Sequence, residues 1–228
     1  MDTWRVCAAV FRKDLIAEWR TKEVITTIFL FGFPVSVAFS FAFESLLAGG
    51  EARTFAGGLL WLAFFFAAIL GLTRSFARET ANQCLQGLRL IPADRGGIYL
   101  GKLLSNLLFM MVAELVLVPI FGVFFDVTLW ARPGWFLLIL VLGTWGVATL
   151  GTLLSAVSAN TRMQELMLPL LLLPLTVPVL IAAIECTVVL LNNGRMMAEA
   201  GHWLQLLTGF DIIFTLLCWL LFDYVIQE

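Results

Sequence analysis

Six long apolar runs leave this sequence few ways to fold. Each run holds 18 to 23 residues, and a helix of that length spans roughly 27 to 35 Å, close to the thickness of a bilayer's hydrocarbon core. The runs lack the alternation of barrel strands, and backbone inside a bilayer must satisfy its own hydrogen bonds. The sequence therefore predicts an all-α, polytopic membrane protein of one domain, with transmembrane helices at 24–43, 55–72, 103–125, 136–156, 167–184 and 203–225.

The composition and the placement of the cations agree with this prediction. Hydrophobic residues make up 61% of the chain and charged residues 13%, which excludes an ordinary soluble domain. Eleven of the 14 Lys and Arg residues lie before the first run, between the second and third runs, or between the fourth and fifth. The remaining loops hold Arg53, Arg132 and Arg195. The positive-inside rule therefore predicts that both termini are cytoplasmic. The lipid bilayer is the expected surrounding, and no nucleic-acid partner is expected.

Residues 1–23 have the pattern of an interfacial helix. One face at helical spacing carries Trp4, Cys7, Ala8, Phe11 and Leu15. Most of the cations lie on other faces: Arg5, Arg12, Lys13 and Arg20. We expect this helix to lie flat on the inner leaflet, with its aromatic face in the acyl boundary and its cations among anionic headgroups. It serves either as a basic anchor or as an element that transmits force.

The cytoplasmic loop 73–102 contains a second amphipathic pattern. Its apolar stripe consists of Ala77, Ala81, Cys84, Leu85 and Leu88. The opposing polar stripe consists of Arg78, Asn82, Gln86 and Arg89. The pattern predicts a short helix that ends before Pro92. Such a helix either rests on its own bundle or docks into a groove of a partner and transmits motion to it.

Two runs and one connecting segment carry further structural signals. Pro169, Pro174 and Pro178 in the fifth run predict a kinked or broken helix that faces protein, and the irregularity is either a static kink or a hinge. In the fourth run, small residues recur every four positions and predict close helix packing; they are Ala148, Thr152 and Ala156. The segment 185–202 carries a turn signal at 192–194 and is a candidate re-entrant hairpin.

Two acidic side chains are placed inside predicted spans. Glu114 lies near the middle of the third span, and Asp211 lies toward the outer end of the sixth. Intramembrane acids are candidates for transport chemistry, and a stand-alone proton-coupled carrier that uses Glu114 is one hypothesis. The alternative is a neutral Glu114 that is hydrogen-bonded to a neighbouring helix and has a structural role.

The sequence shows no catalytic array of its own. Gly96, Gly101 and Lys102 match the start of a phosphate-binding loop, but Leu103 stands where a Ser or Thr must bind magnesium, and a predicted span follows. His202 is the only histidine, so a haem ligand there lacks a second ligand or a defined pocket. We therefore expect a chain that is not an enzyme, binds no cofactor or metal directly, and leaves ATP hydrolysis to another subunit.

Two stretches resemble a known family. The first comprises Phe76, Ala77, Arg78 and Glu79 followed by Leu85, Leu88, Pro92 and Lys102, and the second is LPLTVPVLI at 173–181. Together they resemble the haem exporter protein B family of cytochrome c maturation, within the ABC-2 type permeases, over nearly the full length. The chain departs from the family pattern at 83–86, QCLQ, which lacks the usual Gly and Glu.

The resemblance implies a permease subunit in the bacterial inner membrane that works with several partners. These are a cytoplasmic ABC ATPase, a haem-handling membrane subunit, a haem chaperone and a second copy of the chain. Residues 76–90 are implied to be the ATPase coupling helix, with the contact residues Phe76, Arg78, Glu79, Leu85, Leu88, Arg89 and Pro92. Haem is then handled by the complex, and ATP drives its export or the release of the haem-loaded chaperone. The alternative is a general ABC-2 exporter of an amphiphile or glycan.

Overall fold

The computed structural model describes residues 3–43, 52–81, 95–127, 129, 132–158, 164–192 and 196–225. These residues form seven long helices and one helical turn. In chain order they are α1 (Thr3–Thr21), α2 (Glu23–Ala42), α3 (Ala52–Ala81), α4 (Arg95–Phe125), α5 (Pro133–Ser158), α6 (Gln164–Leu191), α7 (Met196–Glu199) and α8 (Gly201–Val225). Six of them, α2 to α6 and α8, are long and apolar enough to cross a membrane. The predicted all-α fold with six spans is thus confirmed.

The bundle is built around α3 and α5, which are its most buried spans. Close contact between them depends on glycines of α5: a Cβ on Gly143 would lie 2.2 Å from the ring of Trp61, and one on Gly151 would lie 2.3 Å from Leu72. The small residues of α5 singled out in the sequence are all buried; they are Ala148, Thr152 and Ala156. Small side chains let helix backbones approach one another, as predicted for this span.

Several helices extend beyond the apolar runs. The helix of the second span does not end at 72 but continues as α3 to Ala81, and α4 starts at Arg95 rather than 103. Residues 73–81 contain neither Gly nor Pro, so nothing in them stops a helix. The expected separate helix 76–90 therefore begins as the end of α3. What remains of the loop 73–102 outside these helices is 82–94, beyond the described residues.

Helix α1 packs lengthwise on the first part of α4. Its predicted position flat on the inner leaflet stays a prediction. A Cβ on Gly97 would lie 2.7 Å from the backbone oxygen of Thr3, and one on Gly101 would lie 2.8 Å from that of Cys7. These glycines therefore seat one helix on the other. The buried face of α1 consists of Val6, Cys7, Val10, Asp14 and Glu18. On the side predicted to face the acyl chains, Trp4, Ala8 and Leu15 are exposed and Cys7 is buried.

A single non-helical residue joins α1 to α2. Lys22 has φ 53° and ψ 22°, in the left-handed region, and its amide donates to the backbone oxygen of Glu18. The Glu18 carboxylate then accepts from the amide of Ile25 at 3.0 Å, which caps the first turn of α2. Glu18 thus contributes to both sides of this elbow. Its burial follows from that role.

Helix α6 is continuous from Gln164 to Leu191, so of the two predicted outcomes, a kink or a break, the break is absent. The fixed φ of proline suits a helix, and each proline removes only one amide donor. In the segment 185–202, residues 185–191 complete α6, and α7 and the start of α8 follow beyond 193–195, which lie outside the described residues. The re-entrant hairpin stays a prediction. The stretch 185–191 has no Gly or Pro to end the helix before the turn signal.

Both described ends of the chain lie at the same end of the bundle as the start of α4. Thr3 lies against Gly97, and the Arg95 guanidinium donates to the backbone oxygen of Asp223 at 3.2 Å. An even number of spans produces this arrangement. The loop 82–94 leaves α3 and enters α4 at this same end, which we call the loop end of the bundle.

Candidate functional site

The residues implied to contact an ATPase divide into two groups. Phe76, Arg78 and Glu79 lie in the last turns of α3, where the structure describes the backbone alone. The others lie outside the described residues: Leu85, Leu88, Arg89 and Pro92. Their role as ATPase contacts stays a prediction. The helices that carry this loop, however, are described, and they determine what a force on the loop would move.

A buried chain of hydrogen bonds ties three helices together near the loop. The Ser75 hydroxyl of α3 donates to Oδ1 of Asn106 on α4 at 2.8 Å, and Nδ2 of Asn106 donates to Oγ1 of Thr152 on α5 at 3.0 Å. All three side chains are buried. Inside a membrane bundle such bonds hold helices in register, because an unsatisfied amide there is costly. We call these three residues the Asn106 bridge.

Two further contacts hold α8 to the same region. Arg95 donates to the backbone oxygen of Asp223, as described above. One residue further on, a Cβ on Gly96 would lie 2.2 Å from Nε1 of Trp219, so only glycine allows α4 and α8 to approach here. The glycines and lysine that resemble a phosphate-binding loop thus all lie within α4. They pack helices rather than forming a nucleotide loop.

The buried ion pair between Lys102 and Asp14 was not predicted from the sequence. Nζ of Lys102 lies 3.1 Å from Oδ2 of Asp14 on α1, and Lys13 lies 3.3 Å from the other oxygen of Asp14. One available signal was the four-residue spacing of Val6, Val10, Asp14 and Glu18, which places two acids in line with two valines. Hydrophobicity alone cannot select that face, since the acids are stabilised by groups on other helices.

Glu114 is buried in the centre of the bundle. Its Oε2 accepts a hydrogen bond from the Thr144 hydroxyl of α5 at 2.7 Å. The adjoining void, lined in part by Trp61, Phe65 and Met110, has a volume of about 10 Å³, which is room for one water at most. This geometry agrees with the structural interpretation of Glu114, as a side chain bonded to a neighbouring helix.

Asp211 is also buried, at the junction of α5, α6 and α8. Its Oδ1 lies 3.0 Å from where a Cβ of Gly146 would be, close to Val179. Neither carboxylate oxygen has a hydrogen-bond partner among the described residues. Asp211 and Glu114 contact α5 at positions 146 and 144, roughly 200° apart around the helix. The fold thus directs the two acids to different sides of α5 and does not pair them.

A second polar group lies between α5 and α8. Nε1 of Trp145 donates to the Thr215 hydroxyl at 3.0 Å, and Thr149 lies 3.4 Å from the same hydroxyl. The Tyr99 hydroxyl donates to the backbone oxygen of Thr149 at 3.2 Å. These contacts continue the polar links of the bundle toward its loop end. They bring α8 into the framework that the Asn106 bridge begins.

The prolines of α6 lie partly on an uncovered face. Pro174 and Pro178 are exposed and Pro169 is half-buried. The same face carries Leu170, 73% exposed, with Leu173, Val177 and Ile181 also exposed. Pro174 and Pro178 leave the carbonyls of Leu170 and Pro174 without their usual helical donors. The expectation that α6 faces protein is thus not met by this chain's own described helices on its proline side.

The histidine has no metal-binding surroundings in the described part of the chain. His202 is exposed at the start of α8, with its ring 4.7 Å from that of Trp203. No group of three potential metal ligands occurs among the described residues. His202 therefore lies at the edge of the bundle, at the end opposite to the loop.

Comparison with known proteins identifies the family of this chain. Residues 5–223 match the model of the CcmB protein family. "Heme exporter protein B" of Pseudomonas aeruginosa is 29% identical over 192 residues, 79% of this chain and 82% of the relative. The protein of that name from Paracoccus denitrificans is 33% identical over 137 residues, 60% of this chain and 62% of the relative. The Rhodobacter capsulatus protein is 32% identical over 130 residues, 57% and 59% of the two chains. The matched stretches thus span about three fifths of the length of the last two relatives. The family match covers nearly the whole chain. The chain therefore belongs to the CcmB family.

Proposed function

We propose that this chain is the permease subunit of a haem export machinery for cytochrome c maturation, driven by an ABC ATPase on a separate subunit. The printed names of the relatives support the haem assignment. The single structural observation that carries the coupling role is the Asn106 bridge: it joins the two helices that flank the loop, α3 and α4, to the central helix α5.

The mechanism follows from this connection. The ATPase subunit binds the loop 82–94 and the adjoining turn of α3, and its closure on ATP pushes on both. Because α3, α4 and α5 are joined by buried hydrogen bonds, they move together instead of sliding past one another. The contacts of Arg95 and Gly96 carry α8 along. The displacement thus reaches the opposite end of the bundle, where a haem-handling subunit and a haem chaperone receive it.

We propose further that haem does not pass through the interior of this chain. The void beside Glu114 is about 10 Å³, far below the 300 Å³ or more of ordinary ligand pockets. The single histidine lies exposed at the edge of the bundle. The chain therefore acts mechanically, and haem or the haem-loaded chaperone is released by the complex around it. ATP and haem are bound by the partners.

The uncovered proline face of α6 is proposed as the contact with a second copy of the chain. Backbone carbonyls without donors are tolerated at membrane depth only where protein or a water-filled cavity covers them. A disulfide-crosslinking experiment in membranes tests this. A cysteine introduced at Val177 should crosslink to its counterpart in a second copy under mild oxidation, whereas one at Ile213, an apolar and more exposed position on α8, should not. Crosslinking at Ile213 alone would place the contact elsewhere.

The orientation proposed is that the loop end, with both termini, is cytoplasmic, in a bacterial inner membrane. The distribution of Lys and Arg supports it. A reporter fused to the C-terminus, active on one side of the membrane only, measures it directly. Alkaline phosphatase activity there would reverse the assignment.

The test of the function is haem staining of membrane and periplasmic proteins in a strain that lacks the gene. We expect covalently bound haem to disappear from the c-type cytochromes, b-type haem to remain, and a plasmid copy to restore the pattern. A plasmid with Leu85→Ala and Leu88→Ala should fail to restore it, whereas the matched pair Asn82→Ala and Gln86→Ala, on the opposite stripe, should succeed. Unchanged c-type cytochromes in the deletion strain would favour the general exporter instead.

A second plasmid pair tests the Asn106 bridge. Asn106→Leu removes both hydrogen bonds and should lower haem attachment while the protein still reaches the membrane. Ser105→Ala is the control, because the Ser105 hydroxyl is buried one residue away and, within the described part of the chain, donates to the Gly101 carbonyl of its own helix alone. Equal haem attachment in both variants at equal protein levels would remove the bridge from the coupling path.

A further inference from the structure

A crevice opens at the elbow between α1 and α2, on the outside of the bundle. Its walls include Leu15 and Trp19 of α1, Ile25 of α2, and Leu108 and Val112 of α4. Its volume is about 310 Å³, at the lower limit of pockets that hold small ligands. The walls are almost entirely apolar. We call this space the elbow crevice.

The charged residues that line the elbow crevice differ in exposure. Lys22 lines it and is exposed. Arg20 and Glu23, close to Lys22 in the chain, are also exposed but do not line the crevice. Glu18 also lines the crevice, but its carboxylate is buried and accepts from the Ile25 amide. The crevice also lies at the N-terminus of α2, where the helix dipole favours negative charge. The opening of the crevice is therefore suited to an anion, and its interior to hydrocarbon.

The position of the elbow crevice along the bundle identifies the source of such a ligand. The membrane-spanning part of α2 starts at Glu23, immediately after Lys22. Trp19, at the crevice wall, is 83% exposed, and tryptophan side chains favour the membrane–water interface. The cationic opening is thus at headgroup depth, and the wall formed by Leu108 and Val112 extends toward the hydrocarbon core.

We propose that the elbow crevice binds one anionic phospholipid from the leaflet in which α2 begins. One acyl chain lies against Leu108 and Val112, and the headgroup phosphate pairs with the Lys22 ammonium. The bound lipid fills the space between α1, α2 and α4, and so supports the position of α1 on α4. This inference depends on the elbow geometry alone and is independent of what the complex transports.

Native mass spectrometry of the detergent-solubilised full-length protein tests the proposal. The protein is titrated with phosphatidylglycerol and, separately, with phosphatidylethanolamine of the same acyl chains. We expect phosphatidylglycerol to bind more tightly. Lys22→Asn should reduce its affinity about fivefold, the effect of one cation near an anionic headgroup, because asparagine removes the charge and still accepts the left-handed backbone. Lys22→Arg should keep the preference.

Two control variants separate this site from general attraction to lipid. Arg12→Gln removes an equal charge from another exposed position of α1 and should leave the preference unchanged. Val112→Trp fills the crevice and should weaken binding of both lipids, whereas Val123→Trp makes the same change at a position on α4 that is 81% exposed and far from the crevice. Equal binding of the two lipids by the wild-type protein, or a preference untouched by Lys22→Asn, would overturn the proposal.

A photo-crosslinking amino acid at position 19 identifies the neighbour in native membranes. Capture of a phospholipid supports the proposal. Capture of a protein in place of lipid would assign the elbow crevice to a partner subunit and overturn it. This measurement also stands if Val112→Trp fails to fold.

Discussion

Nζ of Lys102 lies 3.1 Å from Oδ2 of Asp14, and the two side chains are only 4% and 9% exposed. This ion pair joins α1 to α4 just where two glycines of α4 admit the backbone of α1. The contact therefore combines close packing with a buried pair of charges. It predicts different outcomes when one partner or both partners are removed.

Removal of one partner should destabilise the protein more than removal of both. Asp14→Asn leaves the buried Lys102 ammonium without this carboxylate, and the loss of one partner of a buried pair typically costs roughly 3 to 5 kcal/mol in unfolding free energy. Lys102→Met should cost less, because Lys13 remains 3.3 Å from Asp14. The double variant leaves no isolated charge and should recover much of the loss. Thermal unfolding in detergent, followed by circular dichroism, measures the cycle. If the two single effects simply add in the double variant, the pair does not stabilise the contact.

Gly101→Ala should separate α1 from α4. The new methyl group would lie 2.8 Å from the backbone oxygen of Cys7, so α1 must move. Cys7 is buried in this contact, and burial raises the pKa of its thiol, so at neutral pH it should react slowly with maleimide. The variant should label faster, as measured by mass spectrometry of the α1 peptide.

The matched control for this change is Gly58→Ala on α3. No atom lies within 4 Å of the Cβ that would be added there, and alanine favours a helix over glycine. This variant should label Cys7 at the wild-type rate and be at least as stable. Fast labelling of Cys7 in the wild-type protein would contradict the described packing.

Glu114→Gln should leave haem attachment close to normal. The amide oxygen of glutamine can accept the same hydrogen bond from Thr144 that the carboxylate accepts. Glu114→Leu removes the acceptor and leaves the Thr144 hydroxyl to find another partner, so it should lower protein stability. A proton-coupled carrier requires the opposite result, with Gln as inactive as Leu. Haem staining at matched protein levels distinguishes the two.

Pro174→Ala and Pro178→Ala together test the proposed hinge in α6. Alanine restores the two backbone donors, so the helix should become stiffer and more resistant to unfolding. If motion at these prolines is part of the export step, haem attachment should fall although stability rises. The paired control is Pro34→Ala in α2 and Pro119→Ala in α4, which are also exposed prolines within helices. Normal haem attachment in the α6 variant would mean that Pro174 and Pro178 form a static feature of the helix and not a hinge.

The parts of the fold that depend on long apolar runs could be read from the sequence. All six spans are present, because long runs of apolar side chains place the backbone in the bilayer, where a helix satisfies its N–H and C=O groups internally. Their ends were less accessible: α3 and α4 continue beyond the apolar residues as regular helix, and hydropathy does not detect a helix outside the membrane. The prolines of α6 predicted a kink or a break, and the helix continues through them without a break.

The candidate site was predictable to different degrees. Glu114 was identified by its cost in a membrane, but its partner Thr144 could not be, because the rotation of α5 relative to α4 is set by packing. The partners of Asn106 could not be predicted for the same reason, and its position near the start of the third predicted span is ordinary for a polar residue. The face of α1 that packs on α4 was not predicted, because Lys102 and the Ile25 amide, which compensate Asp14 and Glu18, belong to α4 and α2.

The single-residue elbow at Lys22 also constrains how this segment can change length. Inserting or deleting one residue there would rotate α1 by about 100° relative to α2, and would carry Asp14 away from Lys102 and Glu18 away from the α2 amide. Replacement of Lys22 by another residue that accepts a left-handed backbone keeps both contacts. Related chains should therefore align through this elbow without gaps, even where its residues differ.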